Sequence, residues 1–367
     1  MSGNKESQNI LALDIGYSAT KMSFKTITDF TEEGLYNELQ TIEVTSVPGG
    51  IAPLGQIDTG LDDGSYPTVI VNEQRYDTGL NHAVVSTARH MSSGFIESVE
   101  WMARFKSAIK FAGFENGVVD KLVLGLPIYH FYDSANPAAD SYYVKKLKET
   151  CTGKILIDRN ETDDTEQYVT VRDVVVIPQP QGTYLGTMSL AENADLRKLA
   201  QKHRIMVLDV GYCTFDWIVM DGLKVRTDLS GSATTSYSHV LAGAASELDN
   251  QIVHENTKKK YTFKADDIES AAFDGETSIL GFRGRDYDIT GPLDKHSRKV
   301  FASALNIFEP SIENNPVAAV ILTGGGSTTF EPVVREWAED TCGFRLFCPE
   351  QPALLNARGY MTKAIVG

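Results

Sequence analysis

No stretch of 18 apolar residues occurs in the 367-residue sequence, so no segment is expected to cross a membrane as a helix. Met1 to Gln8 is short and polar and lacks the basic and apolar regions of a signal peptide. Neither terminus reads as an amphipathic membrane anchor. Cysteine is scarce. Cys151, Cys213, Cys342 and Cys348 form no CxxC pair and have no histidine at ligand spacing, which argues against a disulfide scaffold or a zinc site and for reduced thiols in a cytoplasmic protein. Positive charge is in deficit, with 34 Lys and Arg against 49 Asp and Glu and a net charge of -15. A surface this acidic repels nucleic-acid phosphates, so direct binding of DNA along a basic face is not expected. The dense basic run Lys258-Lys259-Lys260 reads as a solvated helix end.

What is present is ordinary globular material, 42% hydrophobic and 23% charged, and the length suits two domains. Residues 9–13 form an apolar strand that stops at Asp14-Ile15-Gly16, and a strand pattern resumes over 20–26, which together make a hairpin. Residues 49–64, rich in Gly, Pro and Asp, read as a loop. Val69 to Val71 and Gln74 to Tyr76, around Asn72-Glu73, suggest a second small hairpin. Phe95, Val99, Met102, Phe105 and Ile109 recur at helical spacing. Strands are expected over 120–126, 154–157 and 168–177, and helices over 142–150 and 188–203. The second half opens on a buried strand over 205–208 and a meander over 214–227. A helix is expected over 237–254 and another over 297–308. A strand over 317–322 runs into Thr323-Gly324-Gly325-Gly326, followed by helices over 331–339 and 352–365.

The informative feature is an internal repeat. Leu11-Ala12-Leu13-Asp14-Ile15-Gly16-Tyr17-Ser18-Ala19-Thr20 returns in the second half as Val207-Leu208-Asp209-Val210-Gly211-Tyr212-Cys213-Thr214. Both run apolar strand, Asp, apolar, Gly, Tyr, then small or hydroxyl residues. A single repeat at this separation points to two related domains rather than a solenoid.

Each turn carries the parts a phosphate needs. Glycine lets the backbone approach closely, and successive small residues offer N–H groups as an anion nest. Ser18, Thr20 and Thr214 add hydroxyls, and Lys21 adds charge. Asp14 and Asp209 would repel a phosphate directly, but with Mg²⁺ between them they become useful, directly or through water. One such turn alone reads as a plain hairpin; the matched pair reads as a phosphate clamp. Gly324-Gly325-Gly326 at a strand end could lie against a flat base, with the following helix N-terminus favouring phosphate oxygens. Alone it would be only a flexible turn.

These three motifs, in this order, resemble the actin/Hsp70/sugar-kinase superfamily, where they correspond to phosphate 1, phosphate 2 and adenosine. Val176 to Tyr184 and Ala353 to Tyr360 lie where the family has its first connecting helix and its last helix. Within the superfamily the sequence is most similar to the ParM/StbA plasmid-segregation actins, also through Leu122 to Pro127 with Tyr132, Val174 to Pro178 and Tyr261 to Ile268. The resemblance runs from about residue 9 to 365 and leaves no room for an extra substrate-binding domain. It departs from the family at Gln179, where a glutamate is usual, and at Asn356-Ala357-Arg358-Gly359, where two residues separate Asn from Gly.

The resemblance implies an α/β chain with the actin-like fold: two ribonuclease-H-like domains flanking a nucleotide cleft, the first over 9–184 and completed by a C-terminal helix at about 350–367, the second over 185–349. It implies ATP/ADP and Mg²⁺ as ligands. Asp14, Gly16, Tyr17, Ser18, Ala19, Thr20 and Lys21 form the first phosphate turn, Gly211, Tyr212, Cys213 and Thr214 the second, and Thr323, Gly324, Gly325 and Gly326 the nucleoside end. Asp14 and Asp209 hold Mg²⁺ through water and count as catalytic with Gln179 and Thr214. Glutamine cannot act as a general base but can orient water, so slow hydrolysis is expected. The resemblance further implies head-to-tail filaments, a DNA-binding adaptor at their ends and a role in moving plasmid or other DNA. A small-molecule kinase of the same fold and a non-hydrolysing actin-like scaffold stay open beside this reading, as does Gln179 as a mere polar residue between prolines.

Overall fold

The computed structural model describes residues 7–56, 67–80, 85, 93–132, 140–160, 163–253, 262–281 and 284–367. The Lys258–Lys260 run, Tyr261 and residues 57–64 of the expected loop lie outside them. The chain divides into two compact units, residues 1–197 with 354–367 and residues 198–353.

The main sheet of the first unit has the order Val174–Pro178, Lys121–Leu126, Gln8–Ile15, Ala19–Ile27, Thr45–Pro48. The first three strands are parallel and the last two antiparallel. In the second unit the order is Lys224–Val225, Phe215–Asp221, Ile205–Val210, Ala319–Thr323, Arg345–Phe347. Its first strand again pairs antiparallel with the next in sequence and parallel with a strand reached after long helices. The two sheets thus share one topology, so the sequence repeat is a repeat of structure.

Strand Gln8–Ile15 is buried on both faces, as expected of a central strand covered by helices. Leu11, Leu13 and Ile15 join the cluster that includes Phe105 and Ile109 of helix Val99–Phe111. Ile10 and Ala12 join Tyr360, Met361 and Ile365 of the C-terminal helix Leu355–Val366. Ser98 caps the former helix by accepting from the Trp101 N–H at 3.1 Å. The second core gathers Phe215, Trp217, Leu241, Leu248, Phe301, Phe308 and Phe330 between the sheet and helices Tyr237–Val253, Thr290–Glu313 and Ser327–Arg335.

Several expectations differ from what forms. Gly50–Pro53 is a strand, paired with Gln74–Leu80, within the segment expected to be a loop. The single strand expected over 168–177 is two: Glu166–Val171 pairs in a small sheet and Val174–Pro178 in the main one. Phe95 lies in a 3₁₀ turn, Ser93–Glu97, ahead of the helix it was grouped with. The helix expected from residue 188 instead starts at Gln179, ends at Ser189, and is followed by a separate helix, Ala194–Ala200. Thr290–Glu313 is twice the expected length: it starts earlier, with Pro292 in its first turn, where a proline costs no hydrogen bond, and it runs on past Pro310.

Helices Gln179–Ser189 and Leu355–Val366 cross at backbone contact. A Cβ on Gly359 would lie 1.7 Å from the Gly182 carbonyl oxygen, and one on Gly186 would lie 2.3 Å from that of Leu355. The Tyr360 ring fills the space left by Gly125 and Gly182. Thr183 Oγ1 donates to Asn356 Oδ1 at 2.6 Å across the same contact, with both side chains buried.

His130, in the short helix Ile128–Phe131, is 4% exposed among Tyr129 and Tyr143, and burial pushes its pKa down to about 4. The unfolded chain binds this proton near pH 6.5 and the folded chain does not, so stability falls as pH drops from 6.5 towards 4. At about 1.4 kcal/mol per unit the loss is at most about 3.5 kcal/mol. Urea midpoints measured across that range should fall in the parent and flatten in His130→Gln. Parallel curves would show that His130 titrates normally.

Candidate functional site

The two repeated turns fold alike. In the first, the Gly16 N–H donates to the Ala19 carbonyl at 3.1 Å; in the second, the Gly211 N–H donates to that of Thr214 at 2.9 Å. Each hairpin therefore reverses over the same four positions, and residues 16–19 and 211–213 are only half-buried. The preceding aspartates are not exposed in this way: Asp14 is 3% and Asp209 5% accessible.

In the first unit, Asp14 pairs across the hairpin with Lys21, whose Nζ lies 3.6 Å from Asp14 Oδ2. Gln179 Nε2 donates to Asp14 Oδ1 at 3.2 Å. A carboxylate can only accept, so it fixes which end of the glutamine amide faces it and turns Oε1 the other way. Gln179 is placed there because strand Val174–Pro178 ends beside Lys121–Leu126, the parallel neighbour of Gln8–Ile15, and Pro180 starts the helix at once. Tyr17 stacks inward on Phe95, with centroids 4.6 Å apart. Thr20 lies on the opposite sheet face from Asp14 and Lys21, with its hydroxyl buried and no hydrogen-bond partner among the described residues. The structure therefore gathers Asp14, Lys21 and Gln179, sets Gly16, Ser18 and Ala19 at the turn, and separates Thr20 from them.

In the second unit, Asp209 stands directly opposite Asp216 across the hairpin, so their side chains share a face. Thr214 Oγ1 donates to Asp216 Oδ2 at 2.9 Å. Its proton is thereby committed, and what it can offer a water or ligand is a lone pair. Ser236 Oγ lies 2.5 Å from the Gly211 carbonyl and 2.7 Å from that of Thr214, and the Ser238 N–H donates to the Tyr212 carbonyl at 2.9 Å. Tyr212 packs partly against the core, and Cys213 is half-buried. Sequence reasoning overlooked Asp216 and Ser236. The first could have been found by counting back equally from the turn on both strands.

The three glycines differ in what they do. Gly324 has φ +91, and a Cβ there would lie 2.4 Å from the Val210 carbonyl and 2.6 Å from Asp209 Oδ1. A Cβ on Gly326 would lie 2.9 Å from the Tyr237 ring. Gly325 is exposed and faces open space. The motif thus lets one strand end pass tightly beside the Asp209 turn, with Gly325 at its open edge. Thr323 is buried and donates to the Pro352 carbonyl at 2.9 Å, so its hydroxyl serves the fold.

Among the described residues no group of three or more His, Cys, Asp or Glu could hold a metal. The carboxylates at these turns suit a hard cation that arrives with anionic ligands and keeps its water, as Mg²⁺ does when bound to phosphates, and not one held by protein alone.

The family model for the N-terminal domain of actin-like proteins matches residues 12–182. That for the C-terminal domain of the archaeal actin homologue MreB-like family matches residues 207–336. Among curated proteins there is no match. Among solved structures, the archaeal actin homolog Ta0583 in complex with ADP is similar at 17% identity and TM-score 0.65, covering 98% of this chain and 99% of that one. Bacillus thuringiensis ParM with ATP is similar at 13% identity and TM-score 0.57, covering 98% and 99%. The Alp12 filament structure is similar at 13% identity and TM-score 0.57, covering 98% of each chain. No helix among the described residues is long and apolar enough to cross a membrane. The chain has the actin-like ATPase fold in both of its units and belongs to the actin-like proteins.

Proposed function

We propose that this chain is an ATPase that binds Mg-ATP and assembles head-to-tail into filaments that its own hydrolysis destabilises. The observation that carries the reading is the duplicated turn: the same glycine N–H to carbonyl bond, the same buried aspartate before it and the same half-buried backbone after it, once in each unit. In this reading Gly16–Ala19 and Gly211–Thr214 hold phosphate oxygens by backbone N–H groups, with Lys21 adding charge to the first. Gly324–Gly326 serves the nucleoside. Asp14 and Asp209 orient the water shell of Mg²⁺, which would supply charge neutralisation to the phosphates.

Gln179 is the water-orienting group. Its amide nitrogen is held by Asp14, so its oxygen is set to accept from a water. Thr214, its proton given to Asp216, can accept from the same or a neighbouring water. Neither is a strong base, so turnover is slow and suits a timer for assembly rather than a metabolic step. Support for assembly comes from the likeness to the Alp12 filament structure and to ParM. A heterologous contact of this kind propagates without closing. With a net charge of -15, the chain would reach a plasmid or other DNA cargo in the cytoplasm through a basic, DNA-binding adaptor at the filament end and not by itself.

Electron microscopy of the purified protein with Mg-ATP and with Mg-ADP, alongside phosphate release, tests this. Filaments in ATP that shorten as phosphate appears are expected. Phosphate release without filaments would favour a monomeric enzyme of the fold, and filaments without phosphate release would favour a scaffold.

A further inference from the structure

Helix Val99–Phe111 carries an arginine that is 2% exposed, Arg104. Its Nη1 donates to the carbonyls of Gly16 at 2.5 Å and Tyr17 at 3.1 Å. Its Nη2 pairs with Glu100, one helical turn back. The next carbonyl of the turn, that of Ser18, accepts from the Gly49 N–H at 3.0 Å. Gly49 is pressed against the guanidinium, since a Cβ there would lie 2.6 Å from Arg104 Cζ. Phe95, which stacks on Tyr17, lies 5.3 Å from the same guanidinium.

A trans peptide holds its C=O and N–H on opposite sides. Fixing the carbonyls of Gly16, Tyr17 and Ser18 towards the helix therefore directs the N–H groups of Tyr17, Ser18 and Ala19 away from it. Three successive N–H groups turned outward form an anion nest. The second unit fixes the carbonyls of Gly211 and Tyr212, the equivalents of Gly16 and Tyr17, with neutral donors, Ser236 Oγ and the Ser238 N–H. Burying a guanidinium is costly unless it is paired, and Glu100 supplies the pairing. What Arg104 adds is therefore the direction of the peptides more than net charge.

We propose that Arg104 is a positioning residue for the first phosphate turn, required for its N–H groups to meet the outer phosphates of a nucleotide. The inference rests on the reading of that turn as a phosphate site. It is tested by calorimetric binding of Mg-ADP and of AMP to the parent, Arg104→Met and Arg104→Lys. AMP lacks the phosphates that the turn would hold, so a defect in general folding would weaken both ligands, and a defect in the turn only ADP. Arg104→Met is expected to lose about tenfold or more in ADP affinity while AMP stays within about twofold. Arg104→Lys, with a single ammonium that cannot span two carbonyls and Glu100 together, should fall between. Equal losses for both ligands, or ADP binding within about twofold of the parent, overturn the proposal. If Arg104→Met does not fold, Arg104→Lys decides, and an ADP-to-AMP ratio equal to the parent's overturns it. A parent that does not distinguish ADP from AMP overturns instead the phosphate reading of the turn.

Discussion

Gly359→Ala is expected to cost the protein at least about 3 kcal/mol of stability, at or beyond the upper end for an overpacked core, and to lower its urea midpoint sharply. In an ordinary exposed helix the same change would stabilise by up to about 1 kcal/mol, because alanine is the better helix former. The sign reverses here because the new methyl would lie 1.7 Å from the Gly182 carbonyl oxygen and 2.8 Å from the Gly186 nitrogen. Both are backbone atoms, so no rotamer change can make room. The two helices must part, which draws Tyr360 out of the space above Gly125 and Gly182 and stretches the Thr183–Asn356 hydrogen bond. Gly325→Ala is the control, since its Cβ meets nothing within 4 Å, and should leave the midpoint unchanged. A Gly359→Ala protein as stable as the parent would mean that the helices do not cross at this distance.

That crossing also marks the limit of what the sequence showed. The hairpins at Asp14 and Asp209 were legible because each is an apolar run, a tight turn with a glycine at its corner and a second strand. Their repetition pointed to two related domains. The helix Gln179–Ser189 was not legible from its own residues. Pro178, Pro180, Gly182 and Gly186 are all poor helix formers, yet the prolines lie at the helix start and the glycines on the face where another helix backbone lies. Its contact partner is distant in sequence, and no local pattern records that. The division of residues 168–177 into two sheets was hidden for the same reason, as only Arg172-Asp173 separates the two strands. At the candidate site, Asp14, Lys21 and Gln179 were each named from the sequence, but not that Asp14 and Gln179 touch. The braces of the turns were invisible: Arg104 comes from a helix that read only as amphipathic, and Ser236 from the residue ahead of another.

Gln179→Ala should lower single-turnover phosphate release at saturating Mg-ATP by about 100-fold, the scale of losing one preorganised polar group at a reacting centre, while Mg-ATP affinity stays within about threefold. The reason is geometric. Asp14 holds the amide nitrogen at 3.2 Å, so the amide oxygen is oriented before any nucleotide binds, and alanine removes an acceptor for water without touching the turn proposed to hold phosphate. Asp14→Ala is expected to reduce turnover as far or further and to weaken Mg-ATP binding as well. It frees the Gln179 amide to rotate, releases Lys21 from its ion pair, and removes the carboxylate proposed to orient the water shell of Mg²⁺. Gln179→Glu is the sharper variant. A general base in this place would be expected to speed hydrolysis, but beside Asp14 the new carboxylate faces a like charge where it loses the amide's donated bond. Turnover should therefore not rise above the parent's at neutral pH. A faster Gln179→Glu enzyme would show that Asp14 does not set the orientation of residue 179, and unchanged turnover in Gln179→Ala would remove this side chain from the chemistry.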